Sequence, residues 1–487
     1  MKFDSNQKNL FGQIFLILSI LILAYMLITP LNHIITNIGE YFTLTITNFP
    51  LSDILTITKG EFNPPLYYLL AKFVTKFLGN SIVILKILSV IPYAIIILIS
   101  TVKIRKEYGW LTAGVFAFSI GVMSEFFTYF LMARMYSWAI LFTVLTFIYF
   151  KDIITNDNKI SWILFTIFSI LAAYTHYFAG LTVVVIYLFL LVYIFKNIKD
   201  KIKYWGISAV ISIALYIPWI FTLLKQIQVL DSTLMPEVNL NLIMNSLGYF
   251  ADGSDVLFSF MTILVLIALG IVFYTQMKNI EKEDQFYIII GLGVFLTTFL
   301  IGIIISIIYK PVLMTSCLIF ASASLWLVIS ILLGKINNKR LFLISFTLIV
   351  LLMISGVASM ISTNNNLYNE NIANNEALAQ IAQDNDSVVI LTNPRTMVYF
   401  LNFANGVDTY CINQSFVYGD PIDRVHAVFD FKEISQADLN SFVANNTDKN
   451  IYIITFGEFD LTNYTKEVVF DDSGYQILKI NITTPTT

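Results

Sequence analysis

The residues of this chain most able to do chemistry are charged or ionisable side chains at the borders of long apolar runs. Glu40, Arg134, His176 and Lys310 all stand in such positions. A carboxylate beside lipid is costly unless it is hydrated, paired or used. A carboxylate can take the proton of a hydroxyl group, and arginine can hold a phosphate through two parallel hydrogen bonds. One acid, two cations and a histidine together suit an anionic substrate and a hydroxyl acceptor.

Each of these side chains also has an ordinary structural explanation. Glu40 is explained as a solvated acid at a helix end, and Arg134 equally well as a snorkelling side chain. A lone histidine such as His176 is more often a cap or an interfacial group than a catalyst. Lys310 is explained as an anchor at the membrane surface. The residue types alone leave both interpretations open.

The loop that carries Glu40 offers further candidates. Asp53 and Glu61 follow in the same loop, and either is an alternative general base. Two prolines then lead into Tyr67 and Tyr68. Because proline suits the first turn of a helix, we predict a rigid turn and a short helix over 64–79 that lies in the outer membrane interface.

The elements that must position these residues are membrane spans. Of the 487 residues, 57% are hydrophobic and 13% are charged, and the mean hydropathy is +0.76. A soluble domain has about 25% charged residues, whereas a span needs roughly 20 apolar residues. We therefore predict a mainly α, polytopic membrane protein with about eleven transmembrane helices. They cover 11–31, 81–101, 110–128, 131–150, 160–176, 178–195, 204–224, 257–276, 286–308, 311–333 and 341–361.

The distribution of basic residues predicts the orientation of these spans. With a cytoplasmic N-terminus, the lysines and arginines of the membrane region fall mainly in the inner connections, as the positive-inside rule requires. An odd number of spans then places the C-terminal end outside the cell membrane. In this topology Glu40, Arg134, His176 and Lys310 share the outer side. That convergence favours an anionic, lipid-linked substrate.

The composition changes after residue 361. The stretch 362–376 is rich in asparagine, which predicts a linker. We predict a membrane domain over 1–361, followed by the linker and a small extracytoplasmic α/β domain within 362–487. Its strands are predicted over Val388–Leu391, His426–Phe429, Ile451–Thr455, Lys466–Phe470 and Tyr475–Ile480, and its helices over Asn375–Gln383, Thr396–Ala404 and Gln436–Ala444.

Several other classes of partner find no support in the sequence. The two cysteines, Cys317 and Cys411, form no disulfide framework, and the sequence has no Cys/His cluster with metal-ligand spacing. The net charge of −3 gives no indication of nucleic-acid binding. We therefore predict no metal, no cofactor and no nucleic-acid partner.

Four short motifs occur in order along the membrane region. They are Gly-Glu-Tyr-Phe-Thr-Leu over 39–44, Asn-Pro-Pro-Leu-Tyr-Tyr-Leu-Leu over 63–70, Met-Ala-Arg-Met-Tyr over 132–136 and Tyr-Thr-His-Tyr-Phe over 174–178. Through these motifs the chain resembles the protein O-mannosyltransferase-like membrane glycosyltransferases of the C-type multi-span fold. The sequence departs from the family's motifs where Gly39, Asn63 and Met132 replace an acid, a histidine and a glutamate.

The resemblance implies sugar transfer outside the cytoplasmic membrane. The implied donor is a polyprenyl-phosphate sugar, and the acceptor is a hydroxyl group of a glycan, lipid or protein. Glu40 is implied to deprotonate that hydroxyl as it attacks the anomeric carbon with inversion, while Arg134 or Lys310 holds the leaving phosphate. The residues implied to bind substrate are Asn63, Tyr67, Tyr68, Arg134, Tyr136, His176 and Lys310.

Three alternatives belong to other functional classes. A transporter or lipid-glycan flippase would show polar residues at mid-membrane and inverted repeats, and neither is evident in the sequence. A glycan polymerase or ligase of another multi-span fold would also use outer basic residues, but it would not need the acid followed by Pro-Pro. The loss of motif acids also suits a catalytically inactive scaffold that presents the C-terminal domain.

Overall fold

The computed structural model describes most of the chain. The described residues are 4–32, 37–60, 63–156, 158–229, 236–248, 256–276, 280–384, 386–392, 407–413, 432–456, 464–472 and 475–485. They divide into two compact units, here named the membrane unit and the C-terminal unit. The membrane unit is Met1–Asn32, Phe62–Leu70 and Lys86–Thr363, and the C-terminal unit is His33–Glu61, Ala71–Leu85 and Asn364–Thr487.

Helices make up nearly all of the described membrane unit. In chain order, the helices of both units are α1 Ser5–Asn32, α2 Ile38–Ile46, α3 Leu51–Gly60, α4 Leu66–Leu78, α5 Ile82–Ile99, α6 Arg105–Val122, α7 Ser124–Leu131, α8 Tyr136–Thr155, α9 Lys159–Thr175, α10 Tyr177–Asn197, α11 Ile202–Val229, α12 Leu240–Gly248, α13 Val256–Gln276, α14 Lys282–Ile308, α15 Ile319–Lys335, α16 Lys339–Gln383 and α17 Leu439–Asn445. A short π-helical segment, Ser100–Ile104, joins α5 to α6.

By length and composition, eight helical stretches among the described residues are apolar enough to cross a membrane. They are Ser5–Leu31, Ile82–Val122, Tyr136–Thr155, Tyr177–Asn197, Lys199–Gln228, Lys282–Ile308, Thr315–Lys335 and Lys339–Gln383. The stretch Ile82–Val122 overlaps two of the predicted spans, 81–101 and 110–128, which are separated at Gly109, where φ is 87°. The predicted polytopic, mainly α architecture is confirmed, while the number of eleven spans stays a prediction.

The core of the membrane unit lies around α15, whose side chains are almost all buried. This helix packs against α6, α8 and α14. On the other side of α6, its Gly114 lies directly against the backbone of Gly12 in α1, so that a side chain at either position would collide with the opposite helix. Small residues permit this close approach of two apolar helices, as is common in membranes.

The helical structure is interrupted between α7 and α8, within the apolar run that predicted a continuous span over 131–150. Residues 132–135 form a tight turn, in which the Arg134 N–H donates to the Met132 carbonyl oxygen at 2.7 Å. The span itself begins at Tyr136. Met132 and Ala133 are apolar, so hydropathy alone cannot detect the break, yet the break is what places Arg134 in a turn.

At the far end of α8, a buried group of charges joins three helices. The carboxylate of Asp284 on α14 forms ion pairs with Lys151 of α8 (Nζ to Oδ1, 2.8 Å) and with Lys335 of α15 (Nζ to Oδ2, 2.6 Å). We name these three residues the ion triad. Beside it, Lys103 reaches Asp152 of α8 at 2.6 Å. Paired charges are the form in which ionisable side chains are tolerated inside a helical bundle.

The C-terminal unit is built on a six-stranded sheet in the order β3-β2-β1-β4-β6-β5. Its strands are β1 Ser387–Leu391, β2 Asp408–Asn413, β3 Lys432–Ser435, β4 Asn450–Phe456, β5 Tyr464–Asp472 and β6 Tyr475–Pro485. The first four strands in the sheet are parallel, and β6 and β5 add antiparallel neighbours at one edge. Parallel strands bury both faces, and β1 accordingly is buried along its whole length.

Four of the five predicted strands and two of the three predicted helices of this domain are recovered. The predicted strand His426–Phe429 and helix Thr396–Ala404 lie outside the described residues. The sequence did not predict β2 and β3, because each is short and neither alternates between apolar and polar residues. The predicted linker over 362–376 is helical, since α16 runs through it without interruption.

Candidate active site

Arg134 lies at the centre of a group of side chains brought together from α4, α5 and the turn after α7. Its guanidinium carbon is 5.8 Å from the ring centre of Tyr68, close enough for a cation–π interaction. Tyr67 and Tyr68 adjoin at 6.1 Å between ring centres and are almost fully buried. Pro64 and Pro65 immediately precede α4, whose first turn carries both tyrosines.

A second cation, Lys86, belongs to the same group. It is 4% exposed and donates to the Leu131 carbonyl oxygen at 3.1 Å, three residues before Arg134. One turn further along α5, Ser89 is hydrogen-bonded to the Tyr67 hydroxyl at 3.0 Å. The contacts therefore close a ring from α5 to α4, to the turn, and back to α5. We name Tyr67, Tyr68, Lys86, Ser89 and Arg134 the Arg134 cluster.

Lys86 is also a functional candidate by its residue type and position in the sequence. A lysine near the end of an apolar run is a functional candidate by its cost alone. Lys86 lies outside the four motifs that carry the family resemblance. The structure singles it out because its ammonium group is buried beside the turn that carries Arg134.

An aromatic group adjoins Arg134 on the other side. The ring centres of Tyr136 and His176 are 5.5 Å apart, and those of His176 and Phe320 are 4.6 Å apart. Tyr129 packs on Tyr136 at 4.4 Å. Of the predicted substrate-binding residues, the structure thus gathers Tyr67, Tyr68, Arg134, Tyr136 and His176 around one turn.

His176 lies in the connection between α9 and α10 and caps α10. Its Nδ1 accepts the N–H of Phe178 at 3.1 Å. Burial, and secondarily the charge of Arg134, lower the pKa of His176 to about 3. The imidazole is therefore neutral at physiological pH, which suits a capping and contacting side chain rather than a general acid.

Glu40 belongs to the C-terminal unit and closes a capping box at the start of α2. Its Oε2 accepts the Asn37 N–H at 3.1 Å, and the Asn37 side chain accepts the Glu40 N–H at 3.1 Å. The carboxylate is 2% exposed. Glu40 is thus a buried helix-end acid by structure, and its predicted role as general base stays a prediction.

The other sequence candidates have hydrogen bonds or exposures of their own. Asp53 is half-buried in the first turn of α3 and accepts a hydrogen bond from Ser52 at 3.0 Å. Glu61 lies outside the described residues. Asn63 is half-buried immediately before the two prolines. Lys310 follows α14 and donates to the Gln228 carbonyl oxygen at the end of α11, at 2.8 Å.

Within the described ranges, no group of three or more His, Cys, Asp or Glu side chains is close enough to hold a metal ion. What the Arg134 cluster offers instead is positive charge beside aromatic rings. Such an arrangement can bind an anionic group and, through the ring faces, a sugar or a hydrocarbon chain.

The described residues form a helical membrane bundle and a small C-terminal α/β domain, which is the architecture that the sequence predicted. The chain matches no family model and no curated protein sequence, so the nearer resemblance to the O-mannosyltransferases stays a prediction.

The chain is similar in structure to ArnT from Cupriavidus metallidurans. The apo crystal structure aligns with a TM-score of 0.60 at 10% identity, over 96% of this chain and 97% of that one. The crystal structure bound to undecaprenyl phosphate aligns with a TM-score of 0.59 at 10% identity, over 97% and 98%. An Archaeoglobus fulgidus oligosaccharyltransferase, in complex with Zn and sulfate, aligns with a TM-score of 0.43 at 13% identity, over 90% and 68%. At these identities, the likeness to ArnT shows the fold.

Proposed function

We propose that the protein transfers a sugar from a polyprenyl-phosphate donor to an acceptor hydroxyl group at the outer face of the cell membrane. The observation that carries the proposal is the Arg134 cluster, which sets two cations, Lys86 and Arg134, beside a buried tyrosine pair. Charges away from water bind phosphate more strongly than exposed ones. An ArnT structure of the same fold is bound to undecaprenyl phosphate, which supports this class of donor.

The proposed reaction is a single displacement. The acceptor oxygen forms a bond to the anomeric carbon, while the bond from that carbon to the phosphate oxygen breaks and its electron pair leaves with polyprenyl phosphate. Glu40 takes the hydroxyl proton. Arg134 and Lys86 stabilise the negative charge on the leaving phosphate, and Lys310 is a further phosphate-binding residue. Attack opposite the leaving group inverts the anomeric centre.

The remaining candidates are assigned to substrate binding. Tyr67, Tyr68 and Tyr136 supply ring faces and hydroxyl groups, Asn63 supplies an amide, and the neutral His176 holds the start of α10 in place. The proposed topology has a cytoplasmic N-terminus and an extracytoplasmic C-terminal domain, as the basic residues predict.

A binding experiment with undecaprenyl phosphate tests the role of the cluster. The protein in lipid nanodiscs is titrated with undecaprenyl phosphate, and the affinity is compared among wild type, Arg134→Gln and Lys86→Met. Loss of a charge-assisted hydrogen bond costs about 1.5–3 kcal/mol, so each variant should bind roughly 10- to 100-fold more weakly.

The chain offers a matched control in Arg105. Its guanidinium also lies over an aromatic ring, 4.7 Å from that of Trp110, but it is exposed at the start of α6. Arg105→Gln should change the affinity by less than about twofold. Equal affinities for wild type, Arg134→Gln and Lys86→Met would overturn the assignment of the phosphate site. Donor binding without transfer to any hydroxyl acceptor would favour a transporter.

A further inference from the structure

The helix that carries Glu40 shares a hydrophobic core with the C-terminal domain. Tyr41 of α2 is 7% exposed and packs into one cluster with Leu378 and Ile381, which lie near the end of α16. Phe42 and Leu44 pack against the same cluster. More than 300 residues of sequence separate α2 from these partners, so the contact is a property of the fold.

This shared core covers one face of the C-terminal sheet. The strand side chains that it buries are Val389, Leu391, Cys411, Tyr452, Ile454 and Ile477. The opposite face of the sheet is covered by α17, whose Leu439 and Val443 belong to a second hydrophobic cluster. A sheet of mainly parallel strands needs a layer on both faces. Here the first outer segment contributes to one of the two layers.

Polar contacts fix the other end of α2. The side-chain amide of Asn80 donates to the Leu44 carbonyl oxygen at 3.0 Å, and the Thr47 hydroxyl donates to the Asn80 side-chain oxygen at 2.9 Å. Lys72 of α4 donates to the Thr47 carbonyl oxygen at 2.8 Å. With the Asn37 capping box at its start, α2 is held at both ends and along one face.

We propose that the C-terminal domain is the support that positions α2, and through it Glu40, with Leu378 as the principal positioning residue. The claim that this support places Glu40 for catalysis rests on the proposed function, whereas the claim that the domain supports α2 by packing does not. A helix of nine residues is not stable alone in water, so α2 depends on the surface that it packs against. Proton transfer by a side chain requires its placement within about 0.5 Å.

Two leucine variants separate positioning from general stability. Leu378 and Leu439 are 0% and 3% exposed and lie on opposite faces of the same sheet. Leu378→Ala removes side-chain contacts beside α2, while Leu439→Ala removes an equal volume on the α17 side. Leu378→Met keeps most of the volume and serves as the conservative variant. The full-length protein is used throughout.

The first readout is hydrogen exchange of the α2 amides, which needs no substrate. We expect Leu378→Ala to accelerate exchange over Tyr41–Ile46 by roughly tenfold or more, and Leu439→Ala and Leu378→Met to leave it near the wild-type rate. Unchanged protection of the α2 amides in Leu378→Ala would overturn the claim that packing on the C-terminal domain supports α2.

The second readout is steady-state transfer from a polyprenyl-phosphate sugar. Leu378→Ala should lower kcat by about 10- to 100-fold while the donor KM stays within about twofold, because only the position of the base is disturbed. Leu378→Met should restore kcat. An equal loss of kcat in Leu439→Ala would overturn the positioning role. A wild-type protein that transfers no sugar would overturn the proposed function, and the exchange result alone would then decide the support role.

Discussion

Asp284 forms ion pairs with Lys151, near the C-terminal end of α8, and with Lys335 of α15. Its replacement by asparagine directly tests how these ion pairs stabilise the packing of α8, α14 and α15. Asparagine keeps the size of the side chain and one acceptor oxygen, but it removes the charge that both Lys151 and Lys335 face. The two ammonium groups would then lie together without a carboxylate between them. The variant therefore probes how α8, α14 and α15 are joined.

The exposures of the three side chains set the magnitude. Lys151 and Asp284 are 4% and 6% exposed, whereas Lys335 is 31% exposed and can regain water. Removing one partner of a buried pair costs about 3–5 kcal/mol. Since Lys335 can rehydrate, we expect the lower end, about 3 kcal/mol. At roughly 2–4 °C per kcal/mol, Asp284→Asn should unfold at least about 6 °C below wild type.

The assay is thermal unfolding of the detergent-solubilised protein followed by tryptophan fluorescence. Asp152→Asn is the matched control, because its partner Lys103 is 33% exposed and solvent screens the pair. It should cost about 1 kcal/mol or less. The triple variant Lys151→Met, Asp284→Met, Lys335→Met should recover most of the loss, because apolar replacement of a whole buried ion group is often neutral. Unfolding of Asp284→Asn within about 2 °C of wild type would refute the structural role of the triad.

Two further predictions concern topology and pH. Cys411 is 2% exposed, and burial raises the pKa of its thiol to about 12, so a cysteine introduced at the exposed Ala437 is the better reporter of topology. In a variant lacking both native cysteines, Ala437→Cys should react with a membrane-impermeant thiol reagent in intact cells, and reaction only after lysis would reverse the proposed orientation. Because the pKa of His176 falls from 6.5 unfolded to about 3 folded, its contribution to stability is complete above pH 6.5 and is lost as the pH falls towards 3. The unfolding temperature of His176→Phe should therefore fall by less than that of wild type when the pH is lowered from 7.5 to 5. Equal falls in the two proteins would show that His176 is not the group that titrates.

Sequence alone predicted the class of fold because its signals are local. Apolar runs define the spans, and the alternation of short strands and helices defines the C-terminal domain. The shared outer position of Glu40, Arg134, His176 and Lys310 stays a prediction. The structure brings Tyr67, Arg134 and His176 around one turn. The turn at 132–135 was hidden because its first residues are as apolar as a span.

Long-range packing could not be predicted in the same way. Nothing in the composition of 38–46 indicates that Tyr41 shares a buried cluster with Leu378 and Ile381, because helical periodicity identifies an apolar face without identifying its partner. The position of Lys86 in the Arg134 cluster also depends on a long-range contact. Its importance lies in a contact with the Leu131 carbonyl oxygen, 45 residues away along the chain.

The transfer activity of Glu40→Gln tests the central proposal most directly. The variant keeps the size of the side chain and most of its hydrogen bonding, including an acceptor for the Asn37 N–H, but it cannot take a proton at neutral pH. With a polyprenyl-phosphate sugar as donor, we predict that undecaprenyl phosphate binds with nearly wild-type affinity while turnover falls by roughly 10²-fold or more. Normal turnover by Glu40→Gln, with loss of turnover in Asp53→Asn or Glu61→Gln, would contradict the assignment of the base.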